Sequence, residues 1–319
     1  MVDCDTYAER LKWRQIAWNG VRFDTPMDWQ IGKIGHRYLL LETFRGPAME
    51  IKWAPVKGKF KLRTQLKRLV ASQARQLRRS LREEKLPTGW AQAVERYDSL
   101  GFAWQTDGIG GRGAVLYCHG CRKAVLLQFF EKTGQRPFSQ ADRLLASFTD
   151  HPEGRKTLWS VFDIVAEVPE TYHLKRFRFE AGAYELFFTN RQFQLTLLRW
   201  GPAAVLLKDG GLEGFEQRSL GLSTRRSVRV KRRSPLSLEL EEGSPSGLFA
   251  RLYRRLQRHP RYRYRCLRLW HEVDKNRILG VRLEGRQPVE VGALDGICKT
   301  YATVYNENRN LKLETRNSG

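Results

Sequence analysis

The chain carries one motif twice, and this repeat constrains its architecture more than any other feature. The segment Val21-Arg-Phe-Asp-Thr-Pro26-Met-Asp-Trp29-Gln-Ile31 recurs 143 residues later as Ile164-Val-Ala-Glu-Val-Pro169-Glu-Thr-Tyr172-His-Leu174. Each copy continues through alternating, strand-like segments to a Trp-small-Pro triplet, Trp53-Ala-Pro55 in the first and Trp200-Gly-Pro202 in the second. A self-match at a fixed separation is typical of a structural unit that occurs twice. The sequence therefore predicts two similar units in tandem.

Length and charge narrow the function classes. The 319 residues are enough for two domains of about 150 residues, each with its own core. The 57 Lys and Arg against 34 Asp and Glu give a net charge of +23, of which +12 lies in residues 1–156 and +11 in residues 157–319. A basic field of this size attracts polyanions: nucleic acid, an anionic membrane face or an acidic protein.

Targeting signals and cysteine usage indicate the compartment. The first residues are polar, and no apolar run reaches the roughly 18 residues that suggest a membrane-spanning helix. Five cysteines, an odd number, do not form the pattern of a disulfide framework. We expect a cytoplasmic protein without a transmembrane segment.

The hydrophobic periodicity predicts strands, a helix, further strands and a closing helix in each copy. In the first copy we expect a strand at Ile16–Asp24 and a leucine-faced helix at Lys59–Lys85. In the second copy Leu158–Val168 corresponds to the opening strand, and the glycine-rich Leu206–Leu222 is predicted to be poorly helical. Further helices are predicted after Pro137 up to Phe148, at Gly247–Arg258 and near Val291–Val304.

Domain boundaries follow from the repeat and from the polar segment 150–157, which has the composition of a linker. We expect an N-terminal extension at 1–15, a first domain at 16–152, a second domain at 157–305 and a polar tail at 306–319. The predicted fold class is α+β, with two tandem similar domains, each a twisted, mainly antiparallel sheet covered by helices.

The opening motif also resembles a known fold. Trp18-Asn-Gly-Val-Arg-Phe23-Asp-Thr-Pro26-Met-Asp-Trp29, followed by antiparallel strands, a helix and a closing hairpin, is similar to the start of the PsbP-like superfamily. The second copy keeps Pro169 and Tyr172 of this motif. The resemblance implies that each half is a PsbP-like domain. It implies little about activity, because that superfamily spans photosystem subunits, lipoproteins and adaptors and is mostly non-enzymatic.

Three basic segments are the candidate binding surfaces. A solvated face, a basic sheet edge and a phosphate-binding surface are all compatible with such charge runs. Tyr262, Tyr264 and Trp270 share one face of the third segment, where a core face is favoured over a base-stacking platform. The predicted phosphate-contacting residues are Arg75, Arg78, Arg79 and Arg82 on the helix, Arg225, Arg226, Arg229, Lys231, Arg232 and Arg233 in a segment expected to be at least partly loop, and Arg261, Arg263 and Arg265 on a strand.

Cys118-His-Gly-Cys121 is the one metal-like spacing in the chain. Two such thiolates can share Zn²⁺, but a structural site needs four ligands and the sequence offers no second Cys-x-x-Cys. The pattern favours a hairpin turn with reduced thiols, so we expect no metal and no cofactor, with zinc as the alternative. Gly108-Ile-Gly-Gly-Arg-Gly113 lacks the Lys-Ser/Thr of a phosphate loop and is predicted to be an inter-strand loop.

The sequence contains no nucleophile elbow, no paired acidic motif and no kinase-like set of residues. We therefore expect a non-enzymatic basic protein that binds nucleic acid or another polyanion through its arginines. The alternative is a structural or adaptor subunit that docks on an acidic protein assembly or an anionic membrane face.

Overall fold

The chain is mostly β, which corrects the predicted α+β fold class. The computed structural model describes residues 12–72, 81–106, 108–132, 140–152, 154–223, 228–243, 264–289, 292 and 294–304. Strands account for 55% and helices for 15%, in three antiparallel sheets, so helices do not cover a sheet as expected. None of the helices within these ranges is long and apolar enough to cross a membrane.

The chain divides into two compact units. The described part of the first unit lies within Met1–Gly154 and Leu158–Phe162, and that of the second lies within Arg155–Thr157 and Asp163–Tyr305. Segment 150–157, predicted as a linker, is therefore divided between the units, with residues 150–154 in the first and residues 155–157 in the second.

The first unit contains a seven-stranded antiparallel sheet in the order β3-β4-β5-β9-β8-β7-β6. Its strands are β3 (Gln30–Gly35), β4 (Tyr38–Thr43), β5 (Gly46–Pro55), β6 (Arg82–Glu83), β7 (Asp98–Thr106), β8 (Ile109–Cys118) and β9 (Lys123–Lys132).

The second unit repeats this sheet strand for strand, in the order β12-β13-β14-β18-β17-β16-β15. The strands are β12 (His173–Glu180), β13 (Ala183–Thr189), β14 (Phe193–Trp200), β15 (Val228–Ser234), β16 (Ser237–Glu242), β17 (Tyr264–Glu272) and β18 (Arg277–Gly285). Identical order means that each strand of one unit has a counterpart in the other, so equivalent positions can be compared directly.

The repeated motif itself forms a hairpin in each copy. The remaining strands are β1 (Trp13–Trp18), β2 (Val21–Pro26), β10 (Lys156–Val161), β11 (Ile164–Pro169) and β19 (Ala302–Thr303). The single strands predicted at Ile16–Asp24 and Leu158–Val168 are wrong, because the chain reverses at Asn19 and Phe162, with φ of 47° and 55°. In the first unit β1 pairs with β2 and β10, and in the second β11 pairs with β19.

The helices among the described residues are short. They are α1 (Leu62–Ser72), α2 (Thr88–Ala93), α3 (Ala141–Ser147), α4 (Ala203–Leu206), α5 (Gly211–Ser219) and α6 (Asp295–Cys298). The predicted helix Lys59–Lys85 is therefore too long, since it includes β6, and the predicted closing helix is one turn followed by β19. The predicted helix Gly247–Arg258 lies outside the described residues.

Residues 206–222 are more helical than their glycines predict. Helix α5 buries Leu212 and Phe215 against β14, β16 and β17. The buried Glu216 carboxylate accepts hydrogen bonds from the Leu222 amide at 2.6 Å and the Ser223 amide at 3.2 Å. Burial and this local cap outweigh the low intrinsic helix propensity of glycine.

Alternate residues of each strand pack on opposite sides of the large sheets. On β9, Phe129 meets Trp90 of α2 with ring centroids 5.1 Å apart, whereas Gln128 accepts a 3.0 Å hydrogen bond from the Trp104 indole. On β14, Trp200 packs against Phe215, whereas Arg199 is buried on the other side. In the central strands β9 and β14 both sides therefore carry buried side chains, which alternate along the strand with a period of two.

The glycine-rich segment from 108 to 113 is not a loop as predicted. Gly108 lies in the turn, and residues from Ile109 onward belong to β8. A Cβ on Gly113 would lie 2.3 Å from the Leu127 carbonyl oxygen, and one on Gly111 would lie 2.5 Å from the Trp104 ring. Glycine is needed there because the neighbouring backbone and indole approach β8 closely.

Candidate functional site

The cysteine pair is held by the β8–β9 hairpin of the first unit. Cys118 ends β8 and pairs with Lys123, the first residue of β9, so the turn consists of residues 119–122. Arg122 takes φ of 55° to close it. Its carbonyl accepts a 2.8 Å bond from the Val56 amide, and its guanidinium donates a 3.1 Å bond to the Gly58 carbonyl. These contacts fix the turn, and with it both thiols.

Asp150 and His151 lie next to the β8–β9 hairpin, in the segment that follows α3. After α3, Thr149 forms an isolated bridge with Arg22, through reciprocal backbone bonds of 2.7 and 2.8 Å. The Lys123 ammonium then donates a 2.5 Å hydrogen bond to the Asp150 carbonyl oxygen. The segment after α3 is thereby tied to the hairpin.

The four side chains converge. The Cys121 thiol donates to Asp150 Oδ2 at 2.8 Å, and His151 Nδ1 lies 2.7 Å from Asp150 Oδ1. Cys118 Sγ lies 3.8 Å from His151 Nδ1. One potential ligand atom from each residue falls within 4.8 Å of every other. The cluster therefore brings two sulfurs, one imidazole and one carboxylate to a single point.

Burial sets the electrostatics of this cluster. Asp150 is fully buried, Cys118 is buried and Cys121 is half-buried, whereas the His151 side chain is 48% exposed. Burial and the hydrogen bond and negative charge of Asp150 raise the pKa of the Cys121 thiol to about 12. Burial, followed by the Asp150 charge, also raises the pKa of Tyr97, whose hydroxyl lies 3.4 Å from Asp150 Oδ1. In the metal-free protein Cys121 is therefore a protonated thiol, not a thiolate nucleophile.

The arrangement does not resemble a Cys-His-Asp catalytic triad. In a triad the nucleophile and the carboxylate contact opposite nitrogens of the imidazole. Here Cys118 and Asp150 both contact Nδ1 of His151. The same set of donors is instead one that Zn²⁺ accepts.

The second unit has the same hairpin without the cluster. The turn between β17 and β18 also has four residues and also closes with a positive φ, 53° at Asn276. Glu272 occupies the place of Cys118, and its carboxylate accepts hydrogen bonds from the amide and hydroxyl of Thr303, the counterpart of Asp150. Val304 replaces His151. In both units, side-chain hydrogen bonds therefore connect this hairpin to the closing segment, which is residues 149–151 in the first unit and 302–304 in the second. The side chains that make these bonds differ between the units.

The structure describes only part of the predicted arginine surfaces. Arg229 is exposed on β15. Predicted residues outside the described ranges are Arg75, Arg78, Arg79, Arg225, Arg226, Arg261 and Arg263, and for Arg232 the backbone alone is described. Residues 228–234 form the edge strand β15, and Arg225 and Arg226, the rest of the segment expected to be at least partly loop, lie outside the described residues.

Most of the remaining predicted cations are already paired. Arg82 lies 3.4 Å from Glu84, and the Arg233 guanidinium bonds the Glu213 carboxylate. Lys231 lies 2.5 Å from Glu241, and this hydrogen bond raises the pKa of Lys231. A paired cation must give up its carboxylate before it contacts a phosphate, which weakens these candidates.

Arg265 lies in the sheet interior. Strand β17 runs between β16 and β18, so it is not the basic sheet edge considered from the sequence. The Arg265 guanidinium lies 3.0 Å from Glu242 and 2.7 Å from Glu284. On the other face Trp270 meets Tyr301 edge to face at 5.7 Å, so this face packs against protein.

One basic surface was missed by the sequence prediction. Lys57, Lys59 and Lys61 are exposed, and within the described part of the chain none of them has a carboxylate partner. They follow β5 and alternate with Gly58 and Phe60. The alternation of Lys with other residues was the available signal, but the predicted helix Lys59–Lys85 includes Lys59 and Lys61. We call Lys57, Lys59 and Lys61 the lysine strip.

No protein-family model matches the chain, and no curated protein matches it either. Two solved structures show a weak likeness. One is a crystal structure from Bacteroides thetaiotaomicron VPI-5482, with TM-score 0.29 and 16% identity over 46% of this chain and 49% of that chain. The other is the crystal structure of the Tle4-Tli4 complex, with TM-score 0.32 and 12% identity over 91% of this chain and 96% of that chain. The chain spans about half the length of the Bacteroides protein, and likenesses of this size carry no conclusion about fold or function.

Proposed function

We propose that the chain is a non-enzymatic protein that binds nucleic acid through its phosphate backbone. The observation that carries this proposal is the lysine strip of the first unit, where three exposed lysines at alternate positions of the chain have no carboxylate partner among the described residues. Lysine contacts phosphate as a point charge, so the strip would give affinity without sequence specificity.

The backbone of the strip is held in place, which favours binding. Gly58 accepts the hydrogen bond from Arg122, and Phe60 stacks on Tyr117 with ring centroids 4.5 Å apart and planes at 16°. An anchored segment that presents cations loses less conformational entropy on binding than a mobile one. The exposed guanidinium of Arg229 on β15 would add a contact in the second unit.

The test is a binding titration of full-length protein with short labelled duplex DNA at several salt concentrations. Charge reversal of the lysine strip (Lys57→Glu, Lys59→Glu and Lys61→Glu) should reduce the magnitude of the negative slope of log K against log salt concentration by about 0.9 for each lost phosphate contact. The matched control reverses three exposed lysines of the second unit, Lys175, Lys208 and Lys299, which changes the net charge equally.

We expect the strip variant to lose more affinity and more salt dependence than the control. Equal losses would mean that net charge alone attracts DNA, and the assignment to the strip would be wrong. Absence of salt-dependent binding by the unaltered protein would reject nucleic acid. Retention on anionic vesicles or by an acidic protein instead would then favour a docking subunit.

A further inference from the structure

We propose that the first unit binds one Zn²⁺ through Cys118 Sγ, Cys121 Sγ, His151 Nδ1 and a carboxylate oxygen of Asp150. The ion would join the β8–β9 hairpin to the segment that follows α3. The proposal rests on the convergence of these four side chains and is independent of the lysine strip.

The donors suit zinc in kind and number. Structural zinc sites are nearly always four-coordinate, and thiolate, imidazole and carboxylate are its ordinary protein ligands. Calcium and magnesium prefer all-oxygen sites, so two sulfurs argue against them. A Cys-x-x-Cys turn on a β-hairpin supplies two ligands at adjacent corners of a tetrahedron, and Asp150 and His151 supply the others.

The distances are close to those of a formed site. With Zn–S of about 2.3 Å and Zn–N of about 2.0 Å, tetrahedral geometry places a sulfur and a nitrogen ligand about 3.5 Å apart. Cys118 Sγ and His151 Nδ1 are 3.8 Å apart. Asp150 is closer to its neighbours, at 2.8 Å from Cys121 and 2.7 Å from His151, because hydrogen bonds join them. In a tetrahedral site a carboxylate oxygen lies about 3.5 Å from a sulfur ligand and about 3.3 Å from a nitrogen ligand, so these contacts need to lengthen by about 0.6 to 0.7 Å for an ion to replace the bridging protons.

Zinc binding would release these protons. Each cysteine must lose its thiol proton to become a ligand, and the imidazole must present the Nδ1 lone pair with its remaining proton on Nε2. Two thiolates and one carboxylate carry three negative charges, so the loaded site keeps one net negative charge. The Lys123 ammonium, 2.5 Å from the Asp150 carbonyl oxygen, lies where it partly offsets that charge.

Residues next to the four ligands form hydrogen bonds with them, as the outer partners of metal ligands do in zinc proteins. The Lys123 backbone amide donates a hydrogen bond to the Cys121 sulfur, which favours its thiolate. The Tyr97 hydroxyl lies 3.4 Å from Asp150 Oδ1 and orients the buried carboxylate. The exposed His151 leaves one side of the cluster open to solvent, so an ion has a path of entry.

The second unit indicates that the fold alone does not require this cluster. Glu272, Thr303 and Val304 occupy the equivalent positions, and the carboxylate–threonine hydrogen bonds connect the same two segments without any thiol. Packing therefore does not explain why two cysteines, a histidine and an aspartate meet in the first unit. Metal binding does.

The experiment measures zinc on full-length protein kept reduced. Metal analysis of protein purified without chelator should find one zinc per chain. Metal-stripped protein should then take up one Zn²⁺ in competition with a chromophoric chelator. Co²⁺ should give the intense visible bands and the thiolate charge-transfer absorption of a tetrahedral sulfur-containing site.

Two variants remove ligands from the less buried side of the cluster. Cys121→Ser and His151→Ala should each lower zinc affinity by more than the roughly 10- to 100-fold that loss of an outer partner costs. His119→Ala is the matched control, because His119 lies in the same turn but contacts Asp98 at 2.8 Å instead of the cluster. Cys266→Ser controls for a thiol elsewhere in the chain.

The control variants should bind zinc as the unaltered protein does, and circular dichroism should show that all variants fold. Protein that takes up no stoichiometric zinc under reducing conditions would overturn the proposal. So would zinc uptake that His151→Ala and Cys121→Ser leave unchanged, because the ion would then lie elsewhere.

Discussion

A buried ion pair in the second unit gives the sharpest stability prediction. Arg199, 2% exposed on β14, donates to the Asp163 carboxylate and stacks on the Tyr184 ring at 4.4 Å. Arg277 reaches the same carboxylate, with Nε 3.3 Å from Oδ2, but is partly exposed. Asp163 is thus the counter-ion of a guanidinium that has no access to water.

The substitution Asp163→Ala should cost about 3–5 kcal/mol of unfolding free energy, because it leaves an uncompensated charge in the interior. Arg277 can turn toward solvent when the carboxylate is gone, whereas Arg199 cannot. Replacing Arg199 as well, in Asp163→Ala/Arg199→Met, removes the stranded charge and keeps its apolar volume. The double variant should therefore recover most of the stability that Asp163→Ala loses, because apolar replacement of a whole buried pair is often neutral or stabilising relative to the pair itself.

The first unit supplies a control with an exposed ion pair. Arg63 on α1 and Glu83 on β6 have side chains that are 77% and 44% exposed, and Arg63 Nη2 lies 3.1 Å from Glu83 Oε1. Arg63→Met should leave stability nearly unchanged, as is usual for exposed pairs.

The assay is native-state hydrogen exchange read by mass spectrometry, because a chain of two units need not unfold in one transition. Peptides from β14 and β18 report on the second unit, and peptides from β5 and β9 report on the first. Asp163→Ala should lower protection in the second unit. A loss below about 1 kcal/mol, the level of an exposed pair, would refute the reasoning, as would a double variant no more stable than Asp163→Ala.

Two further predictions concern packing and pH. Gly113→Ala should destabilise the first unit by about 1–3 kcal/mol in urea unfolding, because its Cβ would lie 2.3 Å from the Leu127 carbonyl, whereas Gly243→Ala, with nothing within 4 Å, should be nearly neutral. Burial raises the pKa of Tyr301 well above its ordinary value of 10.0, so the unfolded chain loses this proton first and stability should fall as the pH rises past that value. Tyr301→Phe should flatten this alkaline decline in urea titrations, and an unchanged slope would assign it to other groups.

The repeat could be predicted because both copies form the same local turn, which depends on a short stretch of sequence. Trp29 and Tyr172 each donate a backbone hydrogen bond to the proline three residues earlier, at 3.2 and 3.0 Å. Such a turn can be recognised from about a dozen residues of sequence. The predicted PsbP-like identity of the two units rests on that same short segment and stays a prediction.

The balance of helix and strand could not be predicted in the same way. Leucine spacing predicted a helix to Lys85, but residues 82–83 form β6 and pair with β7. Strand β15 could not be recognised from the sequence because four of its seven residues are cations, and an edge strand does not need an apolar face. Pairing between distant segments decides these cases, and local periodicity does not record it.

The candidate site was half predictable. The spacing of Cys118 and Cys121 left zinc open as an alternative to reduced thiols, but a four-ligand site requires Asp150 and His151, which follow Cys121 by 29 and 30 residues. These residues fell in the segment predicted as a linker. Their approach depends on the Arg22–Thr149 bridge and on α3, so no spacing rule could have found them.

The charge count overestimated the available arginine surface for a related reason. Strand β16 carries Glu239, Glu241 and Glu242 opposite the cations of its neighbours, and Lys231, Arg265 and Arg268 pair with them. Cross-strand register brings these charges together although they are far apart in sequence. The lysine strip escapes this neutralisation because it follows β5, where the described residues provide no carboxylate.

Comparison of the two units predicts which parts of the first unit depend on zinc. In the second unit, hydrogen bonds from Thr303 to Glu272 are sufficient to join the hairpin to the closing segment, and Arg277 adds its contact with Asp163. In the first unit Gly20 occupies the place of Asp163, and Lys123, the counterpart of Arg277, bonds the Asp150 carbonyl instead. Metal-free protein keeps that bond and those of Cys121 and His151 to Asp150. A chelator should therefore loosen the hairpin and the segment after α3 while both seven-stranded sheets stay folded, because hydrogen bonds alone make the equivalent connection in the second unit.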